Sequence, residues 1–172
     1  MTRISQKVCL LGDFAVGKTS LVRRFVYNAF DDKYLATIGV KVSRKTVVLP
    51  DEDGLVELSL LLWDLAGSEE FSAVRATYLR GAAGAILVCD LTRSETLTAL
   101  AAYVEDIRRV APRARFVVAA NKSDLPDPRL LPSQVEAFAE SLETACYLTS
   151  AKTGYQVEDA FRHLGRLLLA GD

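Results

Sequence analysis

Residues 12–19 read Gly12-Asp13-Phe14-Ala15-Val16-Gly17-Lys18-Thr19, and the reading of this stretch decides the fold. It matches the pattern Gly, any four residues, Gly-Lys-Ser/Thr, between the apolar run ending at Leu11 and a segment of helical period that starts near Gly17. A strand, a glycine-bearing loop and a helix in that order make a phosphate-binding loop. The backbone N–H groups of Ala15, Val16 and Gly17 turn toward phosphate, and the helix N-terminus adds partial positive charge. Lys18 reaches the terminal phosphates and the Thr19 hydroxyl suits Mg²⁺. A tight turn with a chance lysine is the competing reading, and the strand and helix on either side argue against it.

Working outward, short apolar runs alternate with helical segments. KVCLLGD precedes TSLVRRFVYNAF, GAILVCD precedes ETLTALAAYVEDIRRV, RFVVAAN precedes PSQVEAFAESLETA, and CYLTS precedes YQVEDAFRHLGRLLLA. This alternation predicts an α/β sheet with helices on both faces, and the unbroken runs suit parallel strands buried on both sides. One section departs from it: strand-like runs Ile38–Leu49 and Leu55–Asp64 flank the turn residues Pro50–Gly54 with no helix between, which predicts a hairpin and one antiparallel edge strand. Gly165, inside the last helical segment, predicts close packing there.

A chain of 172 residues holds one well-cored domain, and 21 basic against 22 acidic residues leave no field that would attract nucleic acid. Cys9, Cys89 and Cys146 each lie in an apolar run, so they read as buried free thiols in a reducing compartment. The N-terminal apolar run is too short for a signal peptide or a membrane span, and the end LLLAGD carries no prenylation motif. The expectation is a cytoplasmic chain with no direct membrane anchor in this sequence, any membrane contact coming from a partner or from a tail that lies outside it. His163 reads as a structural surface residue, and the cluster Arg108, Arg109, Arg113, Arg115 as a solvated, dipole-complementing helix end.

Asn121-Lys122-Ser123-Asp124 follows directly on a buried strand, at the end where open α/β sheets bind ligands. The Asp124 carboxylate can accept two hydrogen bonds from the guanine ring N–H and amino group. Adenine lacks both donors and would leave the acid unpaired, which such sites reject by on the order of 10⁴-fold. A polar turn is the bland alternative, and the loop Thr149-Ser150-Ala151-Lys152 after the next strand weighs against it.

With these motifs in order, the chain resembles the Ras superfamily of small GTPases, and within it the Rab branch, over nearly its whole length. The resemblance implies a single GTP-binding domain spanning 1–172 with the P-loop NTPase fold: three layers (α/β/α), a six-stranded mainly parallel sheet with one antiparallel edge strand, and about five helices. It implies GTP/GDP and Mg²⁺ as ligands and hydrolysis of GTP to GDP and phosphate. Ser150, Ala151 and Lys152 would form the guanine loop, with Lys122 along the base and Phe30 stacked on its other side. Ser20 and Tyr34 would join the nucleotide contacts. In the first switch, Thr37 would bind Mg²⁺ and report the γ-phosphate. In the second, Asp64 would hold Mg²⁺ through water and the Gly67 N–H would meet the γ-phosphate.

The Rab likeness rests on Thr37-Ile38-Gly39-Val40, on Trp63 before the acid, and on RATYLRGAAG at residues 75–84. That branch recruits effectors through an aromatic triad; Trp63 and Tyr78 match two members, while Val42 stands where phenylalanine is usual. Trp63, Tyr78 and Phe71 equally suit ordinary core, and an exposed apolar patch joining them with Leu35 and Ile38 would favour partner binding. Effectors and exchange or activating factors are expected partners by resemblance.

Two positions depart from the family. A glutamine after the switch glycine normally positions the attacking water, and here Ser68 stands there with a hydroxyl too short to do so. Of the catalytic set Lys18, Thr37, Gly67 and Ser68, the last is therefore weak, and hydrolysis is expected at or below the roughly 10⁻⁴ s⁻¹ of an unassisted relative. Phe14 stands where a small residue is usual; its ring either bars a conventional arginine finger or leans into solvent. Glu69 and Glu70 either position water from another angle or complement the dipole of a first helical turn. The expected function is a GTP/GDP switch with slow turnover. The alternatives are a permanently nucleotide-bound interaction module and, more remotely, a metabolic kinase.

Overall fold

The computed structural model describes residues 1–34, 36–67 and 69–171, and for residues 69–72 the backbone alone. The expectations placed on Leu35 and Ser68, and on the side chains of Glu69, Glu70 and Phe71, lie outside the described residues.

The strands are β1 (Thr2–Leu11), β2 (Val40–Asp51), β3 (Gly54–Leu65), β4 (Gly84–Asp90), β5 (Arg115–Asn121) and β6 (Cys146–Leu148). They form one sheet in the order β2-β3-β1-β4-β5-β6. All neighbours are parallel except the edge pair β2 and β3. The helices are α1 (Lys18–Tyr27), α2 (Glu69–Leu79), α4 (Leu100–Val110), α5 (Pro132–Ser141) and α6 (Val157–Ala170), with a single turn, α3 (Glu95–Thr98), leading into α4. This is the six-stranded α/β fold expected from the alternation of runs.

Period-two alternation in the strands builds two cores. Val8 and Leu10 of β1 face α1 and α6, packing with Phe25, Phe161 and Leu164. Cys9 and Leu11 face the opposite way, toward Leu79, Tyr103, Ile107 and Val135 of α2, α4 and α5. β4 is buried along all of its length, as a central parallel strand must be. Gly165 lets α6 sit tightly on the sheet: a Cβ there would lie 2.8 Å from Leu49 Cδ1 and 3.2 Å from Leu58 Cδ2.

Several boundaries differ from the sequence reading. Helix α1 ends at Tyr27 rather than running to Phe30, because Asn28 adopts a left-handed conformation (φ 51°) and its N–H caps Arg24. The hairpin is tighter than five residues: Asp51 pairs with Gly54, so only Glu52 and Asp53 turn. Pro50 is tolerated within β2 because that strand is an edge. Cys9 and Cys89 are buried free thiols as expected, but Cys146 is only half-buried. His163 is likewise half-buried, its Nδ1 2.7 Å from the Tyr147 hydroxyl, so it is a partnered residue rather than a plain surface one. Among the described residues, no helix is long and apolar enough to cross a membrane.

Candidate functional site

The chain places β4 and β3 on opposite sides of β1, which opens a crevice at the carboxyl ends of the strands. The 12–19 loop leaves β1 at this point. Gly12 is wedged so closely that a Cβ would lie 2.3 Å from the Val88 carbonyl oxygen. Ala15 (φ 62°) and Gly17 (φ 104°) take left-handed conformations that curl the loop before α1 begins at Lys18. Strained non-glycine backbone of this kind concentrates at functional sites.

Lys18 folds back over the loop, its Nζ donating to the carbonyl oxygens of Gly12 at 2.6 Å and Asp13 at 3.0 Å. Burial pushes its pKa down to about 8, against the pull of Asp64 and Asp13. The Asp13 carboxylate accepts from the Tyr103 hydroxyl at 3.1 Å, tying the loop to α4.

Three oxygen-bearing residues expected at the metal meet next to Lys18. Thr19 Oγ1 lies 2.6 Å from Thr37 Oγ1 and donates to Asp64 Oδ2. Burial raises the pKa of Asp64, and the Thr19 hydrogen bond and the charges of Lys18 and Lys41 oppose that shift. Its other oxygen, Oδ1, is buried with no hydrogen-bond partner among the described residues. An orphaned buried carboxylate oxygen beside two hydroxyls is a donor set that fits a hard divalent cation. Gly67 abuts the phosphate loop so tightly that a Cβ would meet Gly12 O at 2.6 Å and Phe14 N at 2.7 Å.

The other half of the crevice is built from the loops after β5 and β6. Asn121 is buried and cross-links both: its Nδ2 donates to Val16 O at 3.0 Å, and its Oδ1 accepts from Thr149 Oγ1 at 3.1 Å. Lys122 takes a left-handed φ of 67° and reaches back so that Nζ donates to Ala15 O at 2.8 Å. Asp124 Oδ1 accepts from Ser150 Oγ at 2.8 Å. Together these segments enclose a cleft of about 620 Å³ whose walls include Ala15, Gly17, Lys18, Thr19, Ser20, Phe30, Tyr34, Thr37, Gly67, Asn121, Lys122, Asp124, Ala151 and Lys152. Val16, Asp64 and Ser150 stand just behind the walls, buried.

Sequence reasoning missed four supports. Asp90, wholly buried at the end of β4, pairs through Oδ2 with Lys122 Nζ at 2.9 Å. Arg24 of α1 clamps the loop after β6 by donating to Ala151 O at 2.9 Å and Lys152 O at 2.6 Å. Arg93 donates to Phe14 O at 2.9 Å, and Tyr103 holds Asp13 as above. Only Asp90 carried a readable signal, an acid closing a buried strand as Asp64 does in β3.

The two described aromatic residues considered for partner binding both pack inward, and the exposed apolar side chains near them are aliphatic. Trp63 and Tyr78 lie with ring centroids 6.4 Å apart, both partly buried against the core under α2 and α4, and Lys7 Nζ sits 3.8 Å above the indole. Ile38, by contrast, is 93% exposed, and Val42 and Val74 are exposed too.

The Ras family profile matches residues 7–170. The chain belongs to the Ras family. Among relatives, the Ras-related protein Rab-22A of Mus musculus is 38% identical over 168 residues, covering 96% of this chain and 84% of the relative. The human Rab-22A has the same identity and coverage. The human Ras-related protein Rab-31 is 37% identical over 162 residues, covering 93% of this chain and 81% of the relative. Within the Ras family the chain is Rab-like. It is a GTP-binding switch GTPase, as this membership implies.

Proposed function

We propose that this Ras-family protein is a GTP/GDP switch whose unaided hydrolysis is slow, with residues 1–172 acting as one GTP-binding domain. The observation that carries the reading is the meeting of Thr19, Thr37 and Asp64 beside buried Lys18, in a cleft whose far wall holds Asp124. In this reading Asn121, Lys122, Asp124, Ser150, Ala151 and Lys152 hold the guanine, with Phe30 against its other face. Asp124 accepts from the ring N–H and amino group, and Ser150 keeps its carboxylate oriented. The backbone N–H groups of Ala15, Val16 and Gly17, with Ser20 and Tyr34, surround the phosphates.

Thr19, Thr37 and Asp64, the last through water, would hold Mg²⁺, which when bound neutralises charge on the β- and γ-phosphates. Lys18 exchanges the Gly12 and Asp13 carbonyls for phosphate oxygens. The Gly67 N–H meets the γ-phosphate. Thr37 and Gly67 thus tighten the two switches when that phosphate is present, and effectors and regulators read the change through the switches with Trp63, Phe71 and Tyr78. Ser68 does not position the attacking water as glutamine would, so turnover depends on an activating protein of unconventional kind. The free thiols support a reducing, cytoplasmic setting.

Calorimetric titration with GTP and with ATP, each with Mg²⁺, tests the reading. Guanine nucleotide should bind at least about a thousandfold more tightly; equal affinities would overturn it.

A further inference from the structure

Two large aromatic side chains line the cleft without packing into either core. Phe14, in the phosphate loop, is 49% exposed, and Tyr34, in the first switch, is 59% exposed. Their ring centroids lie 5.5 Å apart with planes at 80°, the edge-to-face arrangement that the ring quadrupoles favour. The Phe14 side of this contact is fixed. Its carbonyl oxygen accepts from Arg93, its N–H side is abutted by Gly67, and Ala15 beyond it is locked in a left-handed turn. The Tyr34 side belongs to a segment whose other described tie to the loop is the Thr37 hydroxyl against Thr19.

We propose that Phe14 and Tyr34 form an aromatic latch that ties the first switch to the phosphate loop and limits the rate at which nucleotide leaves the cleft. The inference rests on the reading of the cleft as a guanine-nucleotide site. The two ties differ in what they require. The threonine hydroxyls lie where a cation and a γ-phosphate would claim their lone pairs, so that tie changes with nucleotide state. The ring contact requires no cation and no phosphate, so in this proposal it persists when only GDP is bound. Nucleotide exit therefore requires the rings to part, and a factor that accelerates exchange must draw Tyr34 away from Phe14. Phe14 acts as a positioning residue: it touches Tyr34 and sets where the switch lies over the phosphates.

The test is release of a fluorescent GDP, chased with excess unlabelled GDP in Mg²⁺, from wild type, Phe14→Ala, Tyr34→Ala, the double variant and Phe14→Tyr. An aromatic pair of this geometry predicts that each alanine variant releases about three- to tenfold faster. The double variant should be no faster than the faster single, and Phe14→Tyr, which keeps a ring, should stay within threefold of wild type. A change below threefold in Phe14→Ala, accelerations that multiply in the double variant, or Phe14→Tyr as fast as Phe14→Ala would each overturn the latch while guanine binding itself persists. Failure of the wild type to bind the GDP probe at all would instead overturn the nucleotide-site reading, and the latch with it.

Discussion

Lys122 Nζ sits 2.9 Å from Asp90 Oδ2 and donates to Ala15 O at 2.8 Å, so one side chain joins the end of β4, the base-side loop and the phosphate loop. Asp90 Oδ1 is held in turn by the Thr92 N–H at 2.8 Å and hydroxyl at 2.6 Å. In Asp90→Asn the amide oxygen can keep the Thr92 bonds, which turns the amide NH₂ toward the lysine. GTP affinity should fall about tenfold by calorimetry, equivalent to roughly 1.4 kcal/mol. An affinity within twofold of wild type would show that Lys122 needs no such partner.

In the proposed function Asp124 supplies the discrimination between purines. Asp124→Ala removes the acceptor pair and leaves Ser150 Oγ without the carboxylate it donates to. GTP affinity should drop by about 10³ or more while ATP affinity changes little, collapsing the preference. Competition between the two nucleotides measures it directly, and a preserved preference would relocate base selection elsewhere.

Lys18 should make nucleotide binding pH-dependent. Its folded, ligand-free pKa is about 8 against an ordinary 10.5, because burial disfavours the charged form. Below pH 8 the lysine is charged both folded and unfolded, and the cost of burying that charge is fully present. Between pH 8 and 10.5 the folded state releases its proton first, so the stability of the ligand-free protein rises with pH across that window. Nucleotide phosphates favour the charged lysine. Affinity should accordingly weaken above pH 8, by up to about tenfold per pH unit. Calorimetry at pH 9 in buffers of different ionisation enthalpy should register uptake of about one proton on binding; no uptake would assign the phosphate contact to another group.

Gly67 has no room for a side chain where it meets the phosphate loop, since a Cβ would lie 2.6 Å from Gly12 O and 2.7 Å from Phe14 N, both rigid backbone. Gly67→Ala must move the segment after β3 away from the loop. GTP hydrolysis in a single turnover should then fall at least about tenfold, as expected where a backbone donor to the transferring group is lost. An unchanged rate would mean that this close approach is not used in chemistry.

Much of this was legible in the sequence because the fold and the phosphate loop rest on patterns that are local. GDFAVGKT between an apolar run and a helical one fixes strand, loop and helix together, and β2 and β3 follow from two strand runs with no helix between. Helix ends were less legible. The only cue in FVYNAF was Asn28 itself, a residue that tolerates the left-handed conformation and here stops α1 at Tyr27. The supports of the site were least legible, since they join positions remote in sequence. Arg24 to Ala151, Arg93 to Phe14 and the Phe14–Tyr34 contact exist only once the sheet has brought their loops together. His163 looked unremarkable in the sequence for the same reason, its partner Tyr147 lying on β6.

The account turns most on Ser68. Single-turnover hydrolysis of GTP by the purified protein with Mg²⁺, run beside Ser68→Gln, tests it directly. The wild type should hydrolyse at or below roughly 10⁻⁴ s⁻¹, and restoring the glutamine should raise the rate about tenfold or more. A wild-type rate well above that figure, or no gain in Ser68→Gln, would contradict the slow-switch reading.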